Sequence, residues 1–118
     1  MAETNLKNRT QEFALAVLKY LETLPKGNPF MAISNQLTRC ATSVGANYRA
    51  ALRGKSSADF IYKLKIVEEE CDETMYFLEL LMRLREEDGA VLKALHKEAN
   101  ELLSITVASI KTARKNQK

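Results

Sequence analysis

The sequence predicts an all-α protein, an antiparallel up-down-up-down four-helix bundle that forms one domain over residues 1–118. The chain has 118 residues, about one domain's worth. It contains only four Gly and two Pro, too few for the regular turns of a β-sandwich or barrel. Helix breakers cluster at residues 25–29, 54–57 and 87–89, and the four segments between them carry apolar side chains three or four positions apart. Connections this short favour antiparallel neighbours.

The first predicted helix covers about residues 5–24 and the second about residues 29–53. The second helix has a clear start signal. Asn28 is a favoured N-cap residue, and Pro29 is favoured at the first helical position because its missing N–H would be unpaired there anyway.

The third predicted helix covers about residues 57–86, with Ser56 as a candidate cap and Asp59 in the first turn, where the helix dipole favours a carboxylate. The fourth covers about residues 89–115, and Asp88 is its candidate cap. Basic residues crowd the end of this last helix, again with the sign that the dipole favours.

Composition excludes several classes of protein. No run approaches the ~20 apolar residues of a membrane span, and the first 13 residues lack the apolar region of a signal peptide. We therefore expect a soluble cytoplasmic protein. Cys40 and Cys71 are too few for a disulfide framework and too isolated for a zinc site, and each lies among apolar residues at helical spacing, which predicts two core residues.

The sequence offers no catalytic constellation. Carboxylate-bridged metal bundles need a Glu-x-x-His pair, but Lys93 stands three positions before His96, the single histidine. The acidic run at residues 68–73 has the spread of a solvated face, and there is no Gly-rich phosphate loop. We expect no enzyme activity, no cofactor, no metal and no small-molecule substrate. Gly45, in the middle of the second helix, has two interpretations: a structural one, which is close approach of another helix or simply an absence of selection at this position, and a functional one, which is a ligand at the backbone.

Charge is unevenly distributed along the chain. The net charge is +3, but residues 23–58 carry five basic side chains and no acidic one. Residues 59–88 have a net charge of −6, and residues 89–118 a net charge of +4. Surfaces of one sign create local fields, so this segmentation is a candidate signal for binding.

The basic positions predict a surface that contacts phosphates. With residues placed about 100° apart, the three arginines of the second helix lie opposite its apolar face. The predicted nucleic-acid-binding residues are Arg39, Arg49, Arg53, Lys55, Lys111, Arg114 and Lys115. Arg forks match phosphate oxygens, and the scarcity of aromatic residues here indicates contact with the backbone rather than with bases. The alternatives are an ordinary solvated surface and, for the last three residues, compensation of the helix dipole.

The third helix carries more apolar surface than one face requires. Besides its core residues, a second apolar set lies on another side, and we predict that it is an interface between copies of the chain. The set comprises Tyr62, Ile66, Phe77, Leu80 and Leu84. The acidic third helix and the basic second helix of neighbouring copies are complementary, and head-to-tail contact closes a ring where the rotation permits. The alternative is a wide stripe that contacts both flanking helices.

The chain resembles the bacterial four-helix-bundle family named for proteins encoded in 23S rRNA intervening sequences, also called the S23 ribosomal protein family. The most specific segment is Thr-Ser-Val-Gly-Ala-Asn-Tyr-Arg at residues 42–49. Further segments match in order along nearly the whole chain: residues 12–14, 24–26, 36–39, 57–61, 73–81, 98–102 and 108–113. Cys40 stands where a Ser is usual, and Phe77 where a Trp is frequent.

The resemblance implies an antiparallel four-helix bundle that assembles as a ring-shaped homopentamer, without an established enzymatic activity. A related branch, the accessory proteins of retroelements, binds a reverse transcriptase and nucleic acid through a basic surface. Two functions follow as hypotheses. The first is an oligomeric adaptor that binds nucleic acid, most simply RNA. The second is a protein-interaction scaffold whose basic face docks an acidic or reverse-transcriptase-like partner.

Overall fold

The computed structural model describes residues 5–117, which form four α-helices. These helices are α1 (Leu6–Leu21), α2 (Phe30–Leu52), α3 (Ser57–Leu84) and α4 (Gly89–Lys115), with a 3₁₀ turn (Glu86–Asp88) between the last two. No strand occurs within the described residues. The predicted all-α class is therefore confirmed, and the bundle is elongated, with extents of 50 × 25 × 20 Å.

Helices α1 and α3 end earlier than the sequence suggested. Helix α1 stops at Leu21, and the chain continues in turns in which the N–H groups of Thr23 and Leu24 bond to Tyr20 and Leu21 at 2.9 and 3.2 Å. Pro25 prevents the helix from resuming after these turns, because a residue that precedes proline is sterically pushed out of the helical region. Helix α3 stops at Leu84. The next residue, Arg85, has backbone angles outside the helical region, and the 3₁₀ turn follows it.

The cap predicted for α3 is confirmed, the one predicted for α2 is wrong, and the one predicted for α4 is confirmed in position but makes no cap bond. The Ser56 hydroxyl accepts a hydrogen bond from the Asp59 N–H at 3.0 Å. Asn28 does not cap α2, because Pro29 occupies the N-cap position and no side chain bonds to the first turn. Asp88 occupies the N-cap position of α4 but makes no cap bond, since its carboxylate accepts from the Tyr20 hydroxyl at 2.8 Å and pairs with Arg85.

The core runs along the centre of the bundle and includes residues from all four helices. Leu37, Val44, Leu78 and Leu92 are among its fully buried side chains. Each removes an apolar side chain from water, which stabilises the fold by roughly 1.5–3 kcal/mol per residue.

Both cysteines belong to this core. Cys40 and Cys71 are free and fully buried. Burial raises the pKa of the Cys71 thiol to about 12. A buried thiol is a small apolar side chain and a poor nucleophile, so the prediction of two core cysteines is confirmed.

Gly45 lies where α1 and α2 approach each other closely. A Cβ on Gly45 would lie 3.0 Å from the Thr10 Oγ1 and 3.3 Å from its Cβ. Thr10 is buried, and its hydroxyl donates to the Leu6 carbonyl at 2.7 Å. Close approach of a second helix therefore explains this glycine, as one of its two sequence interpretations proposed.

Candidate nucleic-acid interface

One end of the bundle is built by a small apolar cluster separate from the main core. Ala51 near the end of α2, Ile61 and Leu64 near the start of α3, and Ile110 near the end of α4 pack together there. Partly buried Tyr48, Phe60 and Ala113 cover this cluster. The end of α4 therefore meets the α2–α3 connection at one end of the molecule.

Basic side chains lie close in sequence to these residues, on or beside the helix segments that meet here, and we call them the basic end. They are Arg49, Arg53, Lys55, Lys63, Lys65, Lys111, Arg114 and Lys115. All are exposed except Lys63, which is half-buried. Among residues 5–117, none of the eight forms an ion pair. The fold therefore gathers six of the seven predicted binding residues at one end.

Acidic residues are nearly absent from these segments. Asp59 is the single acid between residues 49 and 65, and residues 102–117 contain none. The Asp59 carboxylate accepts a hydrogen bond from the Lys55 backbone N–H at 3.3 Å, so this carboxylate bonds to the turn before α3. The field at the basic end is thus of one sign, which attracts anionic partners over a distance of about one Debye length.

Arg39 lies apart from this group. It pairs with Glu73 on α3 and lies 3.5 Å from Glu70 on the same helix. It also precedes Arg49 by ten residues, or about 15 Å of helix. Its guanidinium ties α2 to α3, so Arg39 is not part of the basic end.

Two members of the basic end were missed from the sequence. Lys63 and Lys65 belong to the segment 59–88, whose net charge of −6 concealed them. The acids of that segment begin at Glu68, apart from Asp59, so the first turns of α3 are locally basic. A charge count over shorter windows would have found them.

The predicted interface residues of α3 divide into two groups. Tyr62 and Leu84 are 62% and 49% exposed, as expected for an unpartnered surface. Ile66 is partly buried. Phe77 and Leu80 are also partly buried and pack against the protomer's own core, so for these two the wide-stripe alternative describes the packing. Tyr76, 56% exposed, adds to the outward surface and contacts the Phe77 ring edge-on at 5.1 Å between centroids.

Other chemistry is sparse in the part of the chain that the structure covers. His96 Nε2 lies 2.8 Å from Glu79 Oε2, a pair that links α4 to α3 on the surface. No group of three or more His, Cys, Asp or Glu residues is arranged to hold a metal ion within residues 5–117. Over the same range, every helix is too short or too polar to cross a membrane.

Comparisons with known proteins identify a family and a similar solved structure. The model of a family described as 23S rRNA-intervening sequence protein matches residues 3–108. The fold is similar to a crystal structure of a protein with unknown function from the S23 ribosomal protein family, from Bacteroides thetaiotaomicron VPI-5482. That structure has 33% sequence identity and a TM-score of 0.82, over 89% of this chain and 97% of the other. No curated protein matches significantly.

Proposed function

The chain belongs to the 23S rRNA-intervening sequence protein family, and we propose that it is a non-enzymatic adaptor that binds RNA through the phosphate backbone. One observation carries the proposal. Eight cations converge at the basic end without an ion pair among the described residues, and the neighbouring sequence holds a single acid. Neutralising phosphates with such residues releases counterions from the nucleic acid, which supplies most of the affinity of sequence-independent binding.

At the basic end itself, the arrangement favours contact with the phosphate backbone over stacking of bases. Arg49, Arg53 and Arg114 supply planar forks that suit phosphate oxygens, and the lysines supply point charges around them. The nearest aromatic rings, those of Tyr48 and Phe60, are partly buried in the apolar cluster. They are therefore poor platforms for stacked bases.

We propose in addition that the bundle is antiparallel. Arg9 in the first half of α1 bonds to Glu98 in α4 at 2.7 Å, whereas Tyr20 near the end of α1 reaches Asp88 just before α4 begins. The two helices then run in opposite directions. This arrangement accounts for the meeting of the α2 and α4 ends with the α3 start at the basic end.

The adaptor role rests on self-association. We propose that copies meet through the exposed apolar side chains of α3, with Tyr62 and Leu84 in the contact, and close into a ring. A ring repeats the basic end once per copy. Several weak phosphate contacts on one RNA then act together, and the combined affinity exceeds that of a single copy by a factor of about 10²–10⁴.

A salt series of RNA binding tests the proposal. The variant Arg49→Ala, Arg53→Ala, Lys111→Ala, Arg114→Ala removes four cations of the basic end. If each contacts one phosphate, the slope of log affinity against log salt becomes shallower by about 3. A matched control, Lys19→Ala, Lys26→Ala, Lys93→Ala, Lys97→Ala, removes the same charge from exposed positions elsewhere. Equal affinities and slopes for the two variants would show that RNA does not bind at the basic end.

A second candidate function is docking of an acidic protein partner on the same basic end. The exposed Leu52, which lies between Arg49 and Arg53 in the chain, favours it, because large apolar groups in water mark protein contacts more often than RNA contacts. A partner that co-purifies after nuclease treatment, and is lost with the four-cation variant, would support this function over RNA binding.

A further inference from the structure

A groove of about 560 Å³ with both polar and apolar lining lies between the first half of α1 and the second half of α2. Its walls include Lys7, Asn8 and Gln11 from α1, and Thr42 and Arg49 from α2. We infer that this groove holds one unpaired nucleotide of a single-stranded RNA, with its base in the groove and its phosphate on Lys7 and Arg49. The inference rests on the proposed function and specifies which form of RNA the protein prefers.

The floor of the groove is formed by small residues. Ala14 of α1 and Gly45 and Ala46 of α2 line it. The contact between Gly45 and Thr10 brings the two helices close, since a Cβ at Gly45 would lie 3.0 Å from the Thr10 Oγ1. The floor is therefore closed by backbone and methyl groups, against which a flat base makes van der Waals contact. The volume lies within the range of about 300–1,000 Å³ that is typical of small-molecule sites.

The walls supply hydrogen-bonding groups of the type that recognise bases. The Asn8 and Gln11 side chains are exposed and make no hydrogen bond to another described side chain. Each amide offers both a donor and an acceptor, which is the pattern on the edge of a nucleobase. In single strands these edges are open, whereas a duplex pairs them with one another.

The electrostatics of the groove match a phosphate. None of the described residues that line it is acidic, and the cations Lys7 and Arg49 are both exposed. Neither forms an ion pair with a residue in the range 5–117. Arg49 also belongs to the basic end, so a strand whose backbone follows the basic end passes the mouth of the groove. One nucleotide can then enter while its neighbours remain on the cations outside.

A substitution that fills the groove without changing its charge tests the inference. Ala46 is exposed, and Ala46→Phe places a ring in the groove and keeps every cation. We expect about tenfold weaker binding of a ten-nucleotide single-stranded RNA. Binding of a ten-base-pair RNA duplex should change less than twofold. The control Ala32→Phe adds the same ring to an exposed position of α2 outside the groove, and it should change neither affinity.

A second variant, Asn8→Ala with Gln11→Ala, removes the amides and leaves the volume open. It should also weaken single-stranded binding selectively, with thermal unfolding as a check that both proteins fold. Unchanged single-stranded affinity in both variants, or an equal loss for single strand and duplex, would overturn the inference. In that case the proposed function still stands, provided that the four-cation variant binds RNA more weakly than the wild type. If wild-type protein binds neither probe, the proposed function fails, and the inference falls with it.

Discussion

Gly45 on α2 and Thr10 on α1 meet so closely that a methyl group on Gly45 would lie 3.0 Å from the Thr10 hydroxyl oxygen. That oxygen is held in place, because it donates to the Leu6 carbonyl at 2.7 Å inside a buried turn of α1. The glycine therefore sets the distance between the two helices. It also sets the floor of the groove in which we place a nucleotide.

Gly45→Ala should destabilise the protein despite its better helix propensity. Alanine in a helix interior gains about 1 kcal/mol over glycine, but overpacking a tight contact costs about 1–3 kcal/mol. We expect a net loss of about 1 kcal/mol in the free energy of unfolding, measured by urea denaturation. Adding Thr10→Ala removes the oxygen that clashes, so the double variant should recover part of the loss.

Gly89→Ala is the matched control for this prediction. Gly89 begins α4 with a helical φ of −55°, and an added Cβ there meets no atom within 4 Å. Alanine should stabilise the protein by about 0.4–1 kcal/mol, because it restricts the unfolded chain. If both variants shifted the free energy of unfolding in the same direction, packing against Thr10 would not govern position 45.

Periodicity alone was enough to predict the number and type of helices. Apolar side chains at every third or fourth position report the face that each helix buries, and side chains such as Leu37 and Leu78 are fully buried as that pattern requires. Helix ends were less predictable. The Asp88 carboxylate bonds to Tyr20, a residue 68 positions away, instead of capping α4. A pattern of neighbouring residues gives no sign of a hydrogen bond to so distant a partner.

The candidate site, too, was only partly predictable from the sequence. The cations at the ends of α2 and α4 could be found from the sequence because no acid lies near them along the chain. Arg39 looked equivalent on a helical wheel, yet its partners, Glu70 and Glu73, lie on another helix. Pairing between helices depends on their relative placement, which the spacing within one helix does not encode.

Tyr20→Phe should lower stability through loss of one hydrogen bond. The buried Tyr20 hydroxyl donates to the Asp88 carboxylate at 2.8 Å. A hydrogen bond to a charged group contributes about 1.5–3 kcal/mol, and Arg85 still pairs with Asp88 in the variant. We therefore expect a loss near the lower value, about 1.5 kcal/mol, in urea denaturation at pH 7. Tyr62→Phe, at a position 62% exposed, should change stability by less than about 0.5 kcal/mol.

The same tyrosine predicts a change at alkaline pH. Burial, and then the bond to Asp88, raise the pKa of Tyr20 above its ordinary value of 10.0. As the pH rises above 10, the unfolded state loses this proton first, so the free energy of unfolding of the wild type falls. Tyr20→Phe has no phenolic proton to lose. The difference in the free energy of unfolding between the wild type and this variant should therefore shrink above pH 10. A constant difference from pH 8 to pH 11 would contradict the assignment.

Glu70 predicts a change in stability on the acidic side, between pH 4 and pH 7. Its Oε1 is buried without a hydrogen-bond partner among the described residues. Burial raises the pKa of Glu70 above 4.5, although Arg39 acts to lower it. As the pH rises from 4, the unfolded state ionises first, and stability falls through the raised pKa. Glu70→Gln should therefore match the wild type near pH 4. At pH 7 it should be more stable, by less than about 1 kcal/mol.

Removal of Arg39 should enlarge the effect of Glu70→Gln. Without the guanidinium, nothing offsets the desolvation of the carboxylate, and its proton is held to higher pH. In an Arg39→Ala background, the gain from Glu70→Gln at pH 7 should exceed the gain in the wild type, as a double-mutant cycle measures. The exposed neighbour Glu69 supplies the control. Glu69→Gln should shift stability by less than about 0.5 kcal/mol in either background.

Self-association through α3 is tested by charging the apolar side chains that the protomer leaves exposed. Tyr62→Glu with Leu84→Glu changes residues that are 62% and 49% exposed, so the fold should persist. Phe77 is unsuitable, because it packs against its own core. By light scattering at micromolar concentration, we expect the wild type at several times the 13.3 kDa of one chain and the variant at a smaller mass. Each glutamate would carry a charge into an apolar contact, which is costly when the charge has no partner.

The control Leu15→Glu places the same charge on an apolar α1 side chain that is 44% exposed, and it should leave the mass unchanged. A wild type that scatters as a single chain would remove the ring, and with it the multivalent contact on which the adaptor role depends.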